Sequence, residues 1–256
     1  MNKTVLITGA SSGIGVEFAK IFAKDGYNLV LVARRKDRLE RLAGELSKKY
    51  QITTTIIAKD LSTPAAPREI FAELKANSVR VDILVNNAGT QVYGKFQDTD
   101  PELQLQLIQT NLTALTHLTY LFTSEMLKTG YGKILNVGST GSFAPGPLNA
   151  VYCATKAYVL SFSEALASDL AGSGITVTAL CPGATASEFA EKSGLTKTRV
   201  FNSAVMSSVK AARIGYQALL KGKRVVVAGL YNKLMIFAIR FTPRWMVLRI
   251  SKMLMS

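Results

Sequence analysis

Tyr152 and Lys156 form the candidate acid–base pair of this chain, because they lie four residues apart in a segment with a helical pattern. Residues at that spacing share one face of a helix, so a phenol and an ammonium can lie side by side. A nearby cation favours the phenolate and should lower the pKa of Tyr152 from about 10, giving a usable acid or base near neutral pH. With nine tyrosines in the chain such a pair also arises by chance, so the surrounding motifs must decide.

A glycine-rich turn follows the first predicted strand, in the run TGASSGIG at 8–15. Its glycines would allow a tight turn, close approach of a pyrophosphate to the backbone, and close packing of a helix whose N-terminus attracts phosphate. The spacing is G-x3-G-x-G rather than G-x-G-x-x-G, so an ordinary glycine-rich turn is the alternative. Its place at the start of a βαβ unit favours phosphate binding. The predicted contacts are Gly9, Ser11, Ser12, Gly13, Ile14 and Gly15.

The second predicted strand ends in Arg34-Arg35-Lys36, with no acidic residue before Asp37. In NAD-binding folds of this kind a carboxylate there binds the ribose 2′-hydroxyl, and it would repel a 2′-phosphate. A guanidinium holds a phosphate by paired, charge-assisted hydrogen bonds. The sequence therefore predicts NADP(H) rather than NAD(H), with Arg34 as the main contact and Arg35 as the secondary one. The alternative is a solvated basic helix start, which the helix dipole slightly disfavours.

Strands and helices alternate along the chain to about residue 229. The strands are short and nearly all apolar, as in sheets covered on both faces. They are predicted at 3–8, 27–33, 52–58, 81–86, 132–138, 174–181 and 223–228, with helices at 13–25, 36–49, 66–77, 101–128, 151–171 and 207–220. The alternation predicts an α/β fold: a single-domain, Rossmann-like, doubly wound parallel sheet of about seven strands.

The motifs taken together resemble the short-chain dehydrogenase/reductase superfamily. They are TGASSGIG (8–15), Asp60-Leu61, Asn86-Asn87-Ala88-Gly89, Asn111, Ser139, Tyr152-x3-Lys156 and Pro182-Gly183, in the order and approximate spacing of that family. The resemblance covers residues 3 to about 229. It implies an oxidoreductase that transfers a hydride between a nicotinamide coenzyme and a carbonyl or alcohol group.

The resemblance implies catalytic roles for four residues. Tyr152 would protonate a carbonyl oxygen or deprotonate an alcohol, and Ser139 would hydrogen-bond that oxygen. Lys156 would tune Tyr152 and bind the nicotinamide ribose, and Asn111 would anchor a water in the proton relay. Judged without the resemblance, Ser139 is an ordinary turn residue and Asn111 bonds locally within its helix.

The same resemblance places further residues around the coenzyme. Asp60 would contact the adenine edge with Leu61 beside it, and Pro182-Gly183 would pass under the nicotinamide. Thr185 would reach the carboxamide. Asn86 has a simpler alternative role, that of ending a strand in a turn. The remaining predicted coenzyme contacts are Asn86, Ala88, Gly89, Tyr152 and Lys156.

Composition excludes several other classes of protein. With 48% hydrophobic and 19% charged residues in a chain of 256, disorder is excluded. Only Cys153 and Cys181 are present, so no disulfide framework forms and a cytoplasmic location is expected. The N-terminus and the apolar runs are too short for a signal peptide or a spanning helix. One histidine and two separated cysteines give no metal cluster.

The net charge of +14 comes from the end of the chain, since residues 192–256 hold 13 basic residues and no acidic one. Beyond Gly229 the pattern predicts two short basic amphipathic helices separated by Pro243. This tail, residues 230–256, would pack on a partner subunit, lie over the substrate cleft, or touch a membrane surface. No nucleic-acid module is recognisable, so nucleic acid is not an expected partner.

The predicted organisation is a dinucleotide-binding and catalytic unit over 1–229 followed by the tail. Residues 188–206 occupy the position of the family's variable substrate lid, and their apolar side chains suggest a hydrophobic or lipid-like carbonyl or alcohol. Those side chains are Phe189, Leu195, Val200, Phe201 and Met206. The sequence thus predicts an NADP(H)-dependent oxidoreductase, a homodimer or homotetramer, acting as a carbonyl reductase. The alternatives are a non-catalytic NADP(H)-binding sensor or scaffold, and a peripheral membrane protein that works through its tail.

Overall fold

Strands alternate with helices through most of the chain in the computed structural model, which describes residues 2–189, 198 and 205–255. Its strands are β1 Thr4–Thr8, β2 Asn28–Ala33, β3 Thr54–Ala58, β4 Ile83–Asn86, β5 Gly132–Val137, β6 Ile175–Cys181, β7 Thr185–Ala186, β8 Met206–Ser207 and β9 Val225–Val227. Within the described residues, seven strands form one parallel sheet in the order β3-β2-β1-β4-β5-β6-β9. The doubly wound parallel sheet is therefore confirmed.

Helices cover both faces of this sheet. They are α1 Gly13–Lys24, α2 Lys36–Tyr50, α3 Ala66–Ala76, α4 Pro101–Ile108, α5 Leu115–Thr129, α6 Ala150–Asp169, α7 Ser208–Leu220, α8 Leu230–Ile239 and α9 Arg244–Met255. Phe18 and Phe22 of α1 and Leu39 of α2 are fully buried in the core on one face. Ile70 of α3 and Leu118 of α5 are fully buried on the other. Each such side chain contributes about 1.5–3 kcal/mol through burial.

The strand order reverses between β1 and β4, because β1 pairs with β2 on one side and with β4 on the other. In open parallel sheets of this kind, ligands bind in the crevice beyond the carboxyl ends of the strands at that point. The loops that follow β1, β4, β5 and β6 carry the predicted motifs. The fold therefore brings motifs that are far apart in sequence to one edge of the sheet.

The helix predicted over 101–128 is not continuous. A π-helical turn, Gln109–Ala114, separates α4 from α5. The turn carries Asn111, whose buried side chain bonds to the backbone of Thr90, outside the helix. Widened turns of this type occur most often at functional sites, and an apolar periodicity pattern does not reveal them.

The tail forms two helices, α8 and α9, and Pro243 lies between them as predicted. Their outer faces expose large apolar side chains, including Phe237, Phe241 and Trp245. None of the described helices combines the length and the apolar character needed to cross a membrane. Of the apolar residues predicted to line a lid, Leu195, Val200 and Phe201 lie outside the described residues. Met206 lies in β8, which pairs with β7.

Candidate active site

The glycine turn joins β1 to α1 at the carboxyl edge of the sheet. Gly9 has a φ of +67°, and a Cβ on Gly15 would lie 2.3 Å from the Gly9 carbonyl oxygen, so neither position suits a side chain. The first turn of α1 contains no acidic residue, and its N-cap Ser12 makes no side-chain bond to the helix. The N–H groups and dipole of this helix start suit a negative charge. The residues present therefore fit the pyrophosphate of a dinucleotide.

Asn87 ties the glycine turn to the loop after β4, a role that the sequence did not assign to it. Its amide nitrogen Nδ2 donates to the Thr8 carbonyl oxygen at 2.9 Å, and Thr8 Oγ1 accepts from the backbone N–H groups of Asn87 and Ala88 at 3.0 Å each. These bonds hold the ends of β1 and β4 together. In the sequence, only the Asn86-Asn87 pair pointed to this role of Asn87.

Asn86, which was predicted to line the coenzyme groove, has its side chain inside the core. Its Nδ2 donates to Thr119 Oγ1 and to Asn136 Oδ1, both at 2.9 Å, and the residue is 3% exposed. The period of two along a strand explains this, because neighbouring residues point to opposite sides. The side chain therefore braces β4 against β5 and α5.

Arg34 and Arg35 lie at the adenosine end of the crevice and have different partners. Arg34 Nη1 lies 3.7 Å from Asp60 Oδ2, and its side chain is 72% exposed, so a ligand could reach it. Arg35 Nη2 donates to Ser11 Oγ at 3.1 Å, and Arg35 Nη1 pairs with Glu188 at 2.7 Å. Asp60 also accepts from the backbone N–H of Ser62. The structure thus brings Arg35 beside the glycine turn and Arg34 beside Asp60.

Ser139 and Tyr152 lie together at the other end of the crevice. Ser139 follows β5 and begins a short 3-10 turn, where its Oγ accepts from the Gly141 N–H at 3.1 Å. Tyr152 stands in the first turn of α6, beside the Ser139 turn: a Cβ on Gly141 would lie 3.5 Å from Ser139 Oγ and 3.9 Å from Tyr152 Cε1. Two hydroxyls are therefore in position to contact one substrate oxygen.

Lys156, Asn111 and Gly89 converge beside this pair. A Cβ on Gly89 would lie 3.3 Å from Asn111 Oδ1 and 3.6 Å from Lys156 Nζ. Lys156 is 5% exposed, and its Nζ donates to the Val137 carbonyl oxygen at 2.7 Å. Asn111 Nδ2 donates to Thr155 Oγ1 at 3.3 Å, which ties the π-helical turn to α6. The four residues predicted as catalytic are thus brought together.

The expected lowering of the Tyr152 pKa by Lys156 is wrong for this structure. Burial raises the pKa of Tyr152 above its ordinary value, and the nearby Ser139 side chain opposes that rise. Burial also lowers the pKa of Lys156 to about 8. Lys156 Nζ lies 5.6 Å from the Tyr152 ring centroid and bonds to a carbonyl oxygen instead, so desolvation outweighs the cation. The phenol is therefore protonated at neutral pH.

The loop after β6 closes the site from another side. The Pro182 carbonyl oxygen accepts from the Thr140 N–H at 2.8 Å, which joins this loop to the Ser139 turn. Thr185 Oγ1 donates to the Gly183 carbonyl oxygen at 3.0 Å. A Cβ on Gly183 would lie 2.5 Å from Asn232 Nδ2, so α8 of the tail packs directly on this loop.

One aromatic side chain, that of Phe189, lies beside the ring of Tyr152. The ring centroid of Phe189 lies 6.1 Å from that of Tyr152. Tyr93, in the loop after β4, donates its hydroxyl to the Met255 carbonyl oxygen at the end of α9. The tail therefore contacts its own chain at two loops of the crevice. In the described residues no group of three potential histidine, cysteine or acidic metal ligands occurs.

Comparison with known proteins finds similar sequences and similar folds. Residues 3–198 match the family model of short chain dehydrogenases. Sulfoacetaldehyde reductase 2 of Chromohalobacter salexigens is 38% identical over 191 residues, which are 74% of this chain and 75% of that protein. A solved short-chain dehydrogenase from Sphingobium yanoikuyae in complex with NADPH is 36% identical, with a TM-score of 0.85 over 93% of this chain and 92% of that one. A solved structure described for 7beta-hydroxysteroid dehydrogenase stereoselectivity is 26% identical, with a TM-score of 0.88 over 98% of this chain and 96% of that one.

The chain belongs to the short-chain dehydrogenase family. It is an oxidoreductase that acts on a CH–OH or carbonyl group with a nicotinamide dinucleotide as cofactor. The family acts on small-molecule substrates, and its members are commonly oligomeric.

Proposed function

We propose that this chain is an NADPH-dependent reductase of hydrophobic carbonyl compounds. The observation that carries the proposal is the pair of neighbouring hydroxyl side chains, Ser139 and Tyr152, next to Lys156, Asn111 and Gly89 at one end of the crevice. A protein that only bound the dinucleotide as a sensor or scaffold would have no use for two hydroxyls aimed at one substrate oxygen. The arrangement therefore favours catalysis over the scaffold alternative.

Tyr152 acts as the proton donor in this proposal. When bound, NADPH supplies the hydride, and the protein supplies geometry and the proton. Ser139 holds the carbonyl oxygen, and Tyr152 donates its phenolic proton to that oxygen as negative charge develops there. The raised pKa of Tyr152 keeps the phenol protonated, which suits reduction better than oxidation. Asn111 and Lys156 line the route by which a proton returns to the Tyr152 phenol after each reduction.

The preference for NADPH rests on the adenosine end of the crevice. Arg34 is exposed and Arg35 stands beside Ser11, and the sequence after β2 has no acidic residue before Asp37. The solved relative from Sphingobium yanoikuyae holds NADPH. Asp60 contacts the adenine edge, and the turn from Gly9 to Gly15 holds the phosphates. The loops carrying Ala88 and Pro182 border the nicotinamide half.

A hydrophobic substrate is supported by the surroundings of Tyr152. Phe189 contacts the Tyr152 ring, and the tail packs against Gly183 and Tyr93. An aromatic wall of this kind stabilises apolar groups by removing them from water. One structural relative, at 26% identity, is described as concerning a 7beta-hydroxysteroid dehydrogenase. A lipid-like ketone or aldehyde is therefore the proposed substrate class.

A series of methyl ketones of increasing chain length tests the substrate class. Each methylene that enters an apolar cleft gains about 0.8 kcal/mol, which is roughly fourfold in kcat/KM. We expect kcat/KM with NADPH to rise along the series from butanone to octanone. The substitution Phe189→Ala should reduce the preference for the longer ketone by roughly tenfold.

The matched control is Leu127→Ala, because Leu127 is an exposed leucine near the end of α5, at the opposite edge of the sheet. This control should leave the chain-length preference unchanged. Equal kcat/KM for octanone and for a small polar aldehyde such as sulfoacetaldehyde would contradict the proposed substrate class.

The remaining expectations stay predictions. They are the cytoplasmic location, the homodimer or homotetramer, and membrane contact through residues 230–256. The exposed apolar side chains and the basic residues of α8 and α9 are compatible with either kind of contact.

A further inference from the structure

Glu188 bridges two arginines over the glycine turn. Its Oε2 accepts from Arg35 Nη1 at 2.7 Å, and its Oε1 accepts from Arg38 Nη1. Arg35 Nη2 also donates to Ser11 Oγ and to the Ser11 carbonyl oxygen, at 3.1 and 3.3 Å. The Arg35 guanidinium therefore links the glycine turn to the Glu188 carboxylate, which is 153 residues away in sequence.

The residues around Glu188 hold it in this place. Its neighbour Ser187 lies over the turn, since a Cβ on Gly13 would be 3.3 Å from Ser187 Cβ. The two arginines lower the pKa of Glu188 to about 2, so its carboxylate is ionised at neutral pH. The side chains of Arg35 and Glu188 are 30% and 36% exposed. An anionic group of a ligand in solution can therefore reach the Arg35 guanidinium.

Arg35 is also a proposed contact of the coenzyme 2′-phosphate. A guanidinium forms its strongest bonds with a phosphate or carboxylate in its plane. An Arg35 N–H group that donates to Glu188 cannot donate to a phosphate at the same time. Arg34, in contrast, is exposed, and its Asp60 partner lies at 3.7 Å.

We propose that Glu188 competes with the coenzyme 2′-phosphate for Arg35 and so sets how strongly the protein discriminates NADPH from NADH. This inference rests on the proposed preference for NADPH. NADH has no 2′-phosphate, so the Arg35–Glu188 pair persists when it binds. NADPH must displace Glu188 from Arg35, while Glu188 keeps Arg38 as a partner. Glu188 is thus a specificity-determining residue for the coenzyme rather than a catalytic one.

The test is the substitution Glu188→Gln, which removes the charge and keeps the size of the side chain. We expect Kd for NADPH to fall by about three- to fivefold, the range expected for one partly exposed ion pair, and Kd for NADH to change less than twofold. Both constants are measured by titration of nicotinamide fluorescence on the full chain. Binding rather than turnover is the readout, because the adjacent Phe189 contacts Tyr152.

Asp37→Asn is the matched control, since Asp37 is an exposed acid in the first turn of α2 and its loss changes the net charge equally. It should leave the ratio of the two constants unchanged. An equal shift in this control, no shift in Glu188→Gln, or weaker binding of both coenzymes by Glu188→Gln would overturn the inference. If the wild-type chain binds NADPH and NADH equally, the proposed coenzyme preference itself fails, which is a separate result.

Discussion

Replacing Tyr152 by phenylalanine is expected to lower kcat for ketone reduction by about 10³-fold, in the middle of the range for general acid catalysis. The change removes one hydroxyl and keeps the ring, so the packing against Phe189 remains. The Kd for NADPH should change less than about threefold, because the phenol contributes little to the binding energy of a whole dinucleotide. Single-turnover absorbance of NADPH and fluorescence titration measure the two quantities.

Tyr158→Phe is the control for this variant. Tyr158 lies on the same helix, α6, and its hydroxyl bonds to Thr116 Oγ1 at 2.9 Å, away from Ser139. Its substitution should leave kcat within about twofold of wild type, because surface and helix-to-helix bonds of this kind affect stability by about 1 kcal/mol and do not reach the reacting atoms. Turnover by Tyr152→Phe at the rate of this control would refute the assigned role of Tyr152.

The substitution Arg34→Asp is expected to raise Kd for NADPH by about 10²-fold, since it removes a charge-assisted pair and places a carboxylate against the 2′-phosphate. Kd for NADH should stay the same or fall, because a carboxylate at this position can accept from the ribose 2′-hydroxyl. The measured quantity is the ratio of the two constants at fixed ionic strength. Higher salt should weaken NADPH binding more than NADH binding.

Arg41→Asp supplies the matched charge reversal. Arg41 is an exposed arginine of α2, beyond the first turn of the helix. If the coenzyme responded only to the overall charge of this region, both variants would behave alike. An NADPH-to-NADH ratio in Arg34→Asp that equals the ratio of the wild-type chain would rule out Arg34 as the 2′-phosphate contact.

The fold was predictable because it depends on features that repeat along the chain. Nearly all-apolar strands alternate with helical patterns, and parallel sheets with right-handed crossovers then leave few arrangements. The carboxyl ends of β1, β4, β5 and β6 carry the motifs, so the common location of Gly9, Ser139 and Pro182 followed from the topology. The observed sheet has seven parallel strands, as the doubly wound fold predicted from the sequence requires.

The features that the sequence did not reveal depend on side-chain direction and on burial. The choice between Asn86 and Asn87 is decided by which residue points to the core, and an Asn-Asn pair gives no sign of it. The π-helical turn at Asn111 accompanies hydrogen bonds to the backbone of Thr90, 21 residues earlier in the chain. The pKa of Tyr152 is set by desolvation, which spacing along a helix cannot report.

Glu188 shows the same limit at longer range. Its ion pairs with Arg35 and Arg38 cross 153 and 150 residues. The local sequence around residue 188 does not predict that Glu188 pairs with Arg35 and Arg38. Only the position of the loop after β6, over the turn after β1, brings the charges together. The prediction of NADPH from Arg34 and Arg35 therefore left out Glu188, the carboxylate that we propose competes for Arg35.

The most direct test of the central claim is to follow isotope from coenzyme to product. Full-length protein is incubated with a hydrophobic ketone and with NADPH that carries deuterium at both hydrogen positions of the nicotinamide carbon that gives up hydride. Mass spectrometry then locates the label in the alcohol. We predict one deuterium on the carbon that carried the carbonyl, and about 10³-fold slower formation of the labelled alcohol with Tyr152→Phe under the same conditions. Unlabelled alcohol from the wild-type chain, or no alcohol with any ketone of the series, would contradict the account.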